Sequence, residues 1–145
     1  MSIREGNVIL LVEDDDSHAV LIERILKRNN LNKQLVRLRN GREALDALFS
    51  VDSQLRQNTF AIILDLHMPE ISGFEVLRMV RHDGRTNHLP VIILSANQNQ
   101  QELNRCLLMG ADLTMTKGGS HQAFSQTVGK IVDYLMEVKL DKPVA

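Results

Sequence analysis

Four short stretches hold side chains that could do chemistry together. "VEDDD" supplies Glu13, Asp14, Asp15 and Asp16, "IILD" ends in Asp65, "IILS" ends in Ser95, and "MTK" ends in Lys117 after Thr116. Each closes an apolar run. An ionised carboxylate at the end of a buried strand is costly unless it is paired, hydrated or bound to a metal. Crowded carboxylates also push one another toward the neutral form. A hard divalent cation such as Mg2+ relieves that crowding, because it takes oxygen ligands and keeps some of its water. A lysine and a hydroxyl opposite the cation leave a socket suited to a phosphoryl group. Asp65 then reads as a nucleophile, since carboxylate attack on phosphorus gives an aspartyl phosphate. What remains for the protein is positioning and charge stabilisation.

Taken singly, these residues have plainer explanations. Acids after a first strand often cap the next helix, which is the expectation for Asp16 or Ser17. A serine or a lysine alone is commonplace, and Arg39–Asn40 after the second strand offers nothing comparable. The signal lies in the combination.

The elements that must position these residues are legible in the apolar pattern. Strand-like runs lie at Val8–Val12, Gln34–Leu38, Phe60–Leu64, Val91–Leu94 and, more weakly, Asp112–Thr116. Three are continuous aliphatic runs, as expected of strands covered on both faces of a parallel sheet. Helical stripes fall between them: Ala19, Ile22, Ile25 and Leu26; Ala44, Leu45 and Leu48; Phe74, Leu77 and Val80; Leu103 and Leu107. The last stripe is Phe124, Val128, Ile131, Leu135 and Val138. Asn40–Glu43, Ser72–Glu75 and Asn99–Glu102 have capping-box spacing and mark three helix starts. Five βα units in succession predict an α/β fold, a doubly wound five-stranded parallel sheet with right-handed crossovers. In such sheets chemistry gathers at the carboxyl ends of the strands. The polar stretch "SVDSQLRQNT" is expected to be an exposed loop, and 141–145 a short tail.

Composition bounds the function classes. The 145 residues suit one domain, and 43% hydrophobic with 24% charged content is ordinary for a globular chain. A net charge of -1 excludes a general nucleic-acid or anionic-membrane surface. The longest apolar stretch, "NVILLV", is too short to span a bilayer. The single cysteine, Cys106, allows no internal disulfide and reads as a structural thiol in a helix. Without a secretory signal the expected location is the cytoplasm. The five histidines lack paired ligand spacing, which argues against zinc. His67, two residues after Asp65, is the one placed to modulate water access to the site. Gly129, Val132, Met136 and Leu140 suggest a second apolar face on the last helix, and with it a homodimer interface.

These motifs resemble the response-regulator receiver domain of two-component signalling, over roughly Val8 to Val138. "ILLVEDD" is similar to the family's acidic first-strand end, and "IILDLHMPEISGFEVL" to its phosphoacceptor segment with matching Pro69 and Gly73 offsets. "VIILSA" resembles its fourth strand and "LTMTK" its fifth. The resemblance implies a flavodoxin-like (βα)5 sheet of order 2-1-3-4-5 and a single receiver domain spanning 1–145. It implies that Asp65 accepts a phosphoryl group from a histidine kinase. Asp14, Asp65 and the carbonyl of His67 would bind Mg2+, Glu13 would act mainly through a metal-bound water, and Ser95 and Lys117 would hold the phosphoryl oxygens. The family is not one of turnover enzymes, and with no DNA-binding or enzymatic segment after the last helix the chain resembles its stand-alone members. "VEDDDSHAVLIERILK" and the polar loop are similar to regulators partnered with bacterial phytochromes, which implies light signalling.

Two positions depart from the family pattern. Thr114 stands where an aromatic is usual, three residues before Lys117, so the usual serine–aromatic switch has no ring to move. Gly118 and Gly119 follow the lysine in place of proline, which makes that turn more pliable. Two competing readings are a metal-dependent hydrolase with an Asp nucleophile and a degenerate receiver that binds partners unphosphorylated. The hydrolase needs a further general acid, and only Glu70 lies just past Asp65. The intact set of acids, Ser95 and Lys117 argues against the degenerate form.

Overall fold

The computed structural model describes residues 6–29 and 31–140. Along the chain run β1 (Val8–Val12), α1 (Asp16–Arg28), β2 (Gln34–Leu38), α2 (Gly41–Phe49), α3 (Gln54–Asn58) and β3 (Thr59–Leu64). Then follow α4 (Gly73–His82), β4 (Val91–Ser95), α5 (Gln100–Leu108), β5 (Leu113–Thr116) and α6 (His121–Leu140). The five strands are parallel and ordered β2-β1-β3-β4-β5. Every strand lies within one residue of its expected position.

The aliphatic runs are continuous because the three central strands are buried throughout. Their alternate side chains feed two separate cores. Ile9, Leu11, Ala61, Ile63, Ile92 and Leu94 pack beneath α1 and α6. Leu10, Val12, Ile62, Leu64, Val91 and Ile93 pack beneath α2, α4 and α5. Helices on both faces leave the strand ends as the exposed rim.

The three capping positions hold. The Glu43 N–H donates to Asn40, that of Glu75 to Ser72, and those of Gln101 and Glu102 to Asn99. The glutamates do not complete the reciprocal boxes. Glu43 instead takes the Arg39 N–H at 2.9 Å, Glu75 pairs with Arg78, and Glu102 turns toward the strand rim.

Four expectations are corrected. The α1 N-cap is Asp15, not Asp16 or Ser17; its carboxylate accepts the His18 N–H at 3.0 Å. The polar stretch before β3 is not wholly loop, because Ser53 caps the short helix α3 and Arg56 donates to the carbonyls of Leu48 and Ser50. Leu107 is exposed, and Cys106 points inward beside Leu103 instead. Val132 belongs to the core, since α6 lies across both α1 and the sheet and needs a stripe wider than one residue per turn. The second apolar face of α6 thus reduces to the exposed Met136 beside the half-buried Gly129. Leu140 lies outside the described side chains.

Candidate functional site

Four strand ends converge as the sheet order requires. β1 delivers Glu13 and Asp14, β3 delivers Asp65, β4 ends in Ser95, and β5 runs directly into Lys117. Main-chain bonds hold these tips in register: Asp65 N–H to the Val12 carbonyl at 3.0 Å and Lys117 N–H to the Ser95 carbonyl at 2.7 Å. Glu13, Asp65, Ser95 and Lys117 are all buried, while Asp14 is exposed.

Lys117 is the hub. Its Nζ lies 2.8 Å from Glu13 Oε1, 2.8 Å from His18 Nδ1 and 3.8 Å from Asp65 Oδ2. Glu13 is therefore in direct contact with the lysine. Ser95 Oγ accepts the Asn97 N–H at 3.1 Å, which leaves its own proton free to donate.

One lysine cannot neutralise this many acids. Asp65 is pushed up to about 7, first by burial and then by the charge of Glu13, with Lys117 opposing. One oxygen from each of Glu13, Asp14 and Asp65 falls within 4.8 Å of the others. An all-oxygen donor set with surplus negative charge fits a hard divalent cation. The residues present match the implied group.

The chain between β3 and α4 explains why Gly73 follows Asp65 at this spacing. A Cβ at Gly73 would lie 2.2 Å from the Asp65 carbonyl oxygen, so only glycine lets α4 start so close to the nucleophile. Glu70 in the intervening turn is exposed, at φ 67°, and contributes no buried acid.

Three contributors escape the sequence pattern. His18, on the first turn of α1, bonds Lys117 and meets the Phe124 ring edge-on with centroids 5.0 Å apart. Arg37 of β2 donates twice to the Glu13 carbonyl, at 3.0 and 2.9 Å, and also pairs with Asp16. The second strand does brace the site, from a position one residue inside its end. Glu102 of α5 meets His67 Nε2 at 3.3 Å and Asn97 Nδ2 at 3.3 Å, tying together the loops that follow β3 and β4.

The sequence profile of the response regulator receiver domain matches residues 9–129. The chain belongs to this family. A probable methanogenesis regulatory protein, FilR2 of Methanothrix harundinacea, is 32% identical over 127 residues, which cover 88% of this chain and 82% of that one. The crystal structure of a response regulator receiver domain from Rhodospirillum rubrum is similar at 29% identity and a TM-score of 0.81, covering 90% of this chain and 94% of that one. The bacteriophytochrome response regulator AtBRR is 29% identical with a TM-score of 0.68, covering 87% and 92%. Thr114 of β5 is half-buried, with no ring to bury. Gly118 sits at φ +80°, a backbone that favours glycine, so the turn after Lys117 uses the freedom its sequence allows.

Proposed function

We propose that this receiver is a phosphoacceptor of a two-component relay, with Asp65 as the residue phosphorylated. One observation carries the reading: a buried carboxylate pushed up to about 7, with a lysine 3.8 Å away and two further acids beside it. Structural ion pairs are balanced; this cluster is short of positive charge, which an arriving cation and phosphoryl group would use.

In the proposed reaction a carboxylate oxygen of Asp65 attacks the phosphorus of a kinase phosphohistidine. The new P–O bond forms as the P–N bond breaks, and the electron pair stays with the imidazole nitrogen. Lys117 then pairs with one phosphoryl oxygen and the Ser95 hydroxyl donates to another. Mg2+ would be held by Asp14, Asp65 and the His67 carbonyl, with Glu13 acting through water while also holding Lys117. When bound it would supply charge neutralisation to carboxylates and phosphoryl oxygens alike. The protein's share is placement and fixed charge, so the outcome is a stoichiometric adduct rather than turnover, followed by slow hydrolysis.

The signal leaves as altered partner binding. Dimerisation through α6 is the less supported output, because Val132 is buried and Met136 is the large exposed apolar side chain on that helix among the described residues. The same reading puts the receiver in the cytoplasm with its kinase. Among the described residues no helix is long and apolar enough to cross a membrane. Likeness to AtBRR supports a phytochrome kinase as donor, with light as the input.

Incubation with acetyl phosphate and Mg2+ tests the core of this reading. One base-labile phosphoryl group per chain, absent in Asp65→Asn, is the expected result; continuous phosphate release without an adduct would replace it with a hydrolase. Sedimentation of the two forms separates partner binding from dimerisation. A transfer profile against purified histidine kinases, phytochromes included, identifies the donor.

A further inference from the structure

His18 stands outside every role assigned so far, yet it makes one of the two shortest side-chain contacts of Lys117. The lysine ammonium has three N–H donors and no acceptor. One points to Glu13 Oε1 and one to His18 Nδ1, each at 2.8 Å. The third has Asp65 Oδ2 on its side at 3.8 Å, beyond hydrogen-bond reach. His18 must therefore accept through Nδ1, which puts its ring proton on Nε2.

The ring is itself held. The residue's main-chain N–H donates to the Asp15 carboxylate at 3.0 Å, and the imidazole and the Phe124 ring make a T-shaped contact at an interplanar angle of 75°. The Asp15 cap sets the main chain at His18 and the Phe124 ring of α6 packs against the imidazole, and together they restrict where Nδ1 sits. With two N–H bonds fixed by tetrahedral geometry, the direction of the third is fixed as well. The nitrogen that carries it lies 3.8 Å from Asp65 Oδ2, and an oxygen of a phosphoryl group on Asp65 would lie within closer reach of it.

We infer that His18 is a positioning residue for phosphorylation. It orients the Lys117 ammonium so that one N–H is already aimed at the phosphoryl group as it forms its bond to Asp65. The inference rests on the phosphoacceptor reading and adds a residue to it. Donors fixed before charge develops stabilise the transition state without reorganising during it. Glu13 alone would hold the ammonium's rotation about its Cε–Nζ bond with one contact, and His18 adds the second.

The test measures the rate of adduct formation with acetyl phosphate and Mg2+, in which a P–O bond to Asp65 forms and the P–O bond to acetate breaks, its electron pair leaving with acetate. His18→Leu removes the acceptor and should lower the saturated rate about 3- to 10-fold, the worth of one hydrogen bond. The half-saturating acetyl phosphate concentration should stay unchanged. His18→Phe keeps an aromatic ring against Phe124 without the acceptor and should be as slow. His18→Asn places an oxygen at the depth of Nδ1 and should recover the rate to within about twofold. In a Lys117→Met background the His18 substitutions should have no further effect, as expected if the two act as a unit. Wild-type speed in both His18→Leu and His18→Phe, a slow His18→Asn, or an undiminished effect without Lys117 would each overturn the inference while leaving the phosphoacceptor reading intact. A wild-type chain that forms no adduct overturns both.

Discussion

Two ionic clusters sit at opposite ends of the same sheet, and they are built to different rules. At the amino ends of β4 and β5, Arg81 meets Asp112 at 2.8 Å and donates to the carbonyls of Gly110 and Leu89, each at 2.8 Å. Asp112 also accepts the Val91 N–H at 2.8 Å. One cation faces one anion, and the surplus donors and acceptors are spent on main-chain groups. At the carboxyl ends, Lys117 faces Glu13 and Asp65 with Asp14 close by, and Asp65 is pushed up to about 7. Both clusters are hydrogen-bonded; only the second is out of charge balance. Balance marks a cluster that holds strands together, and imbalance marks one waiting for something positive.

If that distinction is right, removing a cation should hurt both clusters, and removing an acid should hurt only the balanced one. Lys117→Met should have the largest effect. It leaves Glu13 and Asp65 buried with no counter-charge, and breaking one side of a buried pair costs about 3–5 kcal/mol. Urea unfolding in chelator-containing buffer would measure it, with added Mg2+ recovering part of the loss. Arg81→Ala comes next, at about 2–3 kcal/mol, because the arginine side chain is mostly buried and its loss strands the Leu89 and Gly110 carbonyls and Asp112. Asp112→Asn should also destabilise, since it removes the carboxylate charge that faces Arg81. A rim lysine that proved dispensable would erase the contrast.

Asp65→Asn is the substitution whose sign separates the two ends. The folded-state carboxyl is raised from its ordinary 3.8 to about 7, so the folded chain releases that proton less readily than the unfolded one. Below about pH 4 both states hold the proton and the acid carries no penalty. As pH rises toward 7 the unfolded state ionises first, and the folded state loses stability relative to it. Above about 7 the penalty is constant. The interval caps it at ~4 kcal/mol, and a realistic gain for the asparagine variant is about 1–3 kcal/mol. In chelator-containing buffer Asp65→Asn should therefore be more stable than wild type at pH 8 and equal to it at pH 3.5, read from urea midpoints. A destabilised variant at pH 8 would mean that the carboxylate is compensated after all.

The same contrast explains what the amino-acid sequence discloses. Strand positions and the acids, serine and lysine at their ends follow from local pattern plus one topological rule, that rims of parallel sheets collect function. Side chains reaching the rim from helices are harder to read. His18 sits at a helical position whose direction depends on the Asp15 cap, and the plain expectation put the cap one or two residues later. Arg37 belongs to an edge strand that ends in nothing reactive, and it braces the site through the Glu13 carbonyl, a main-chain contact that no sequence pattern marks. Val132 was legible as apolar but not as core, because the width of a helix stripe depends on how many neighbours the helix crosses. Short α3 was missed for a related reason: none of its residues is buried, so no periodicity announces it.

The smallest expected energy belongs to the pair at the mouth of the rim. His67 and Glu102 lie 3.3 Å apart with side chains 49% and 26% exposed, where an ion pair contributes well under about 1 kcal/mol. Glu102→Gln should thus barely shift the unfolding midpoint. It should nonetheless shorten the lifetime of the Asp65 adduct about two- to fivefold, because the freed His67 ring no longer spans from one loop to the other above the site. Phosphate release after removal of excess acetyl phosphate reads that lifetime. His67→Ala should match Glu102→Gln, and the double variant should add nothing, since either change breaks the same link. An unchanged lifetime in both would make the pair a surface contact like Glu75–Arg78, and the boundary between balanced and functional charge would then lie wholly inside the rim.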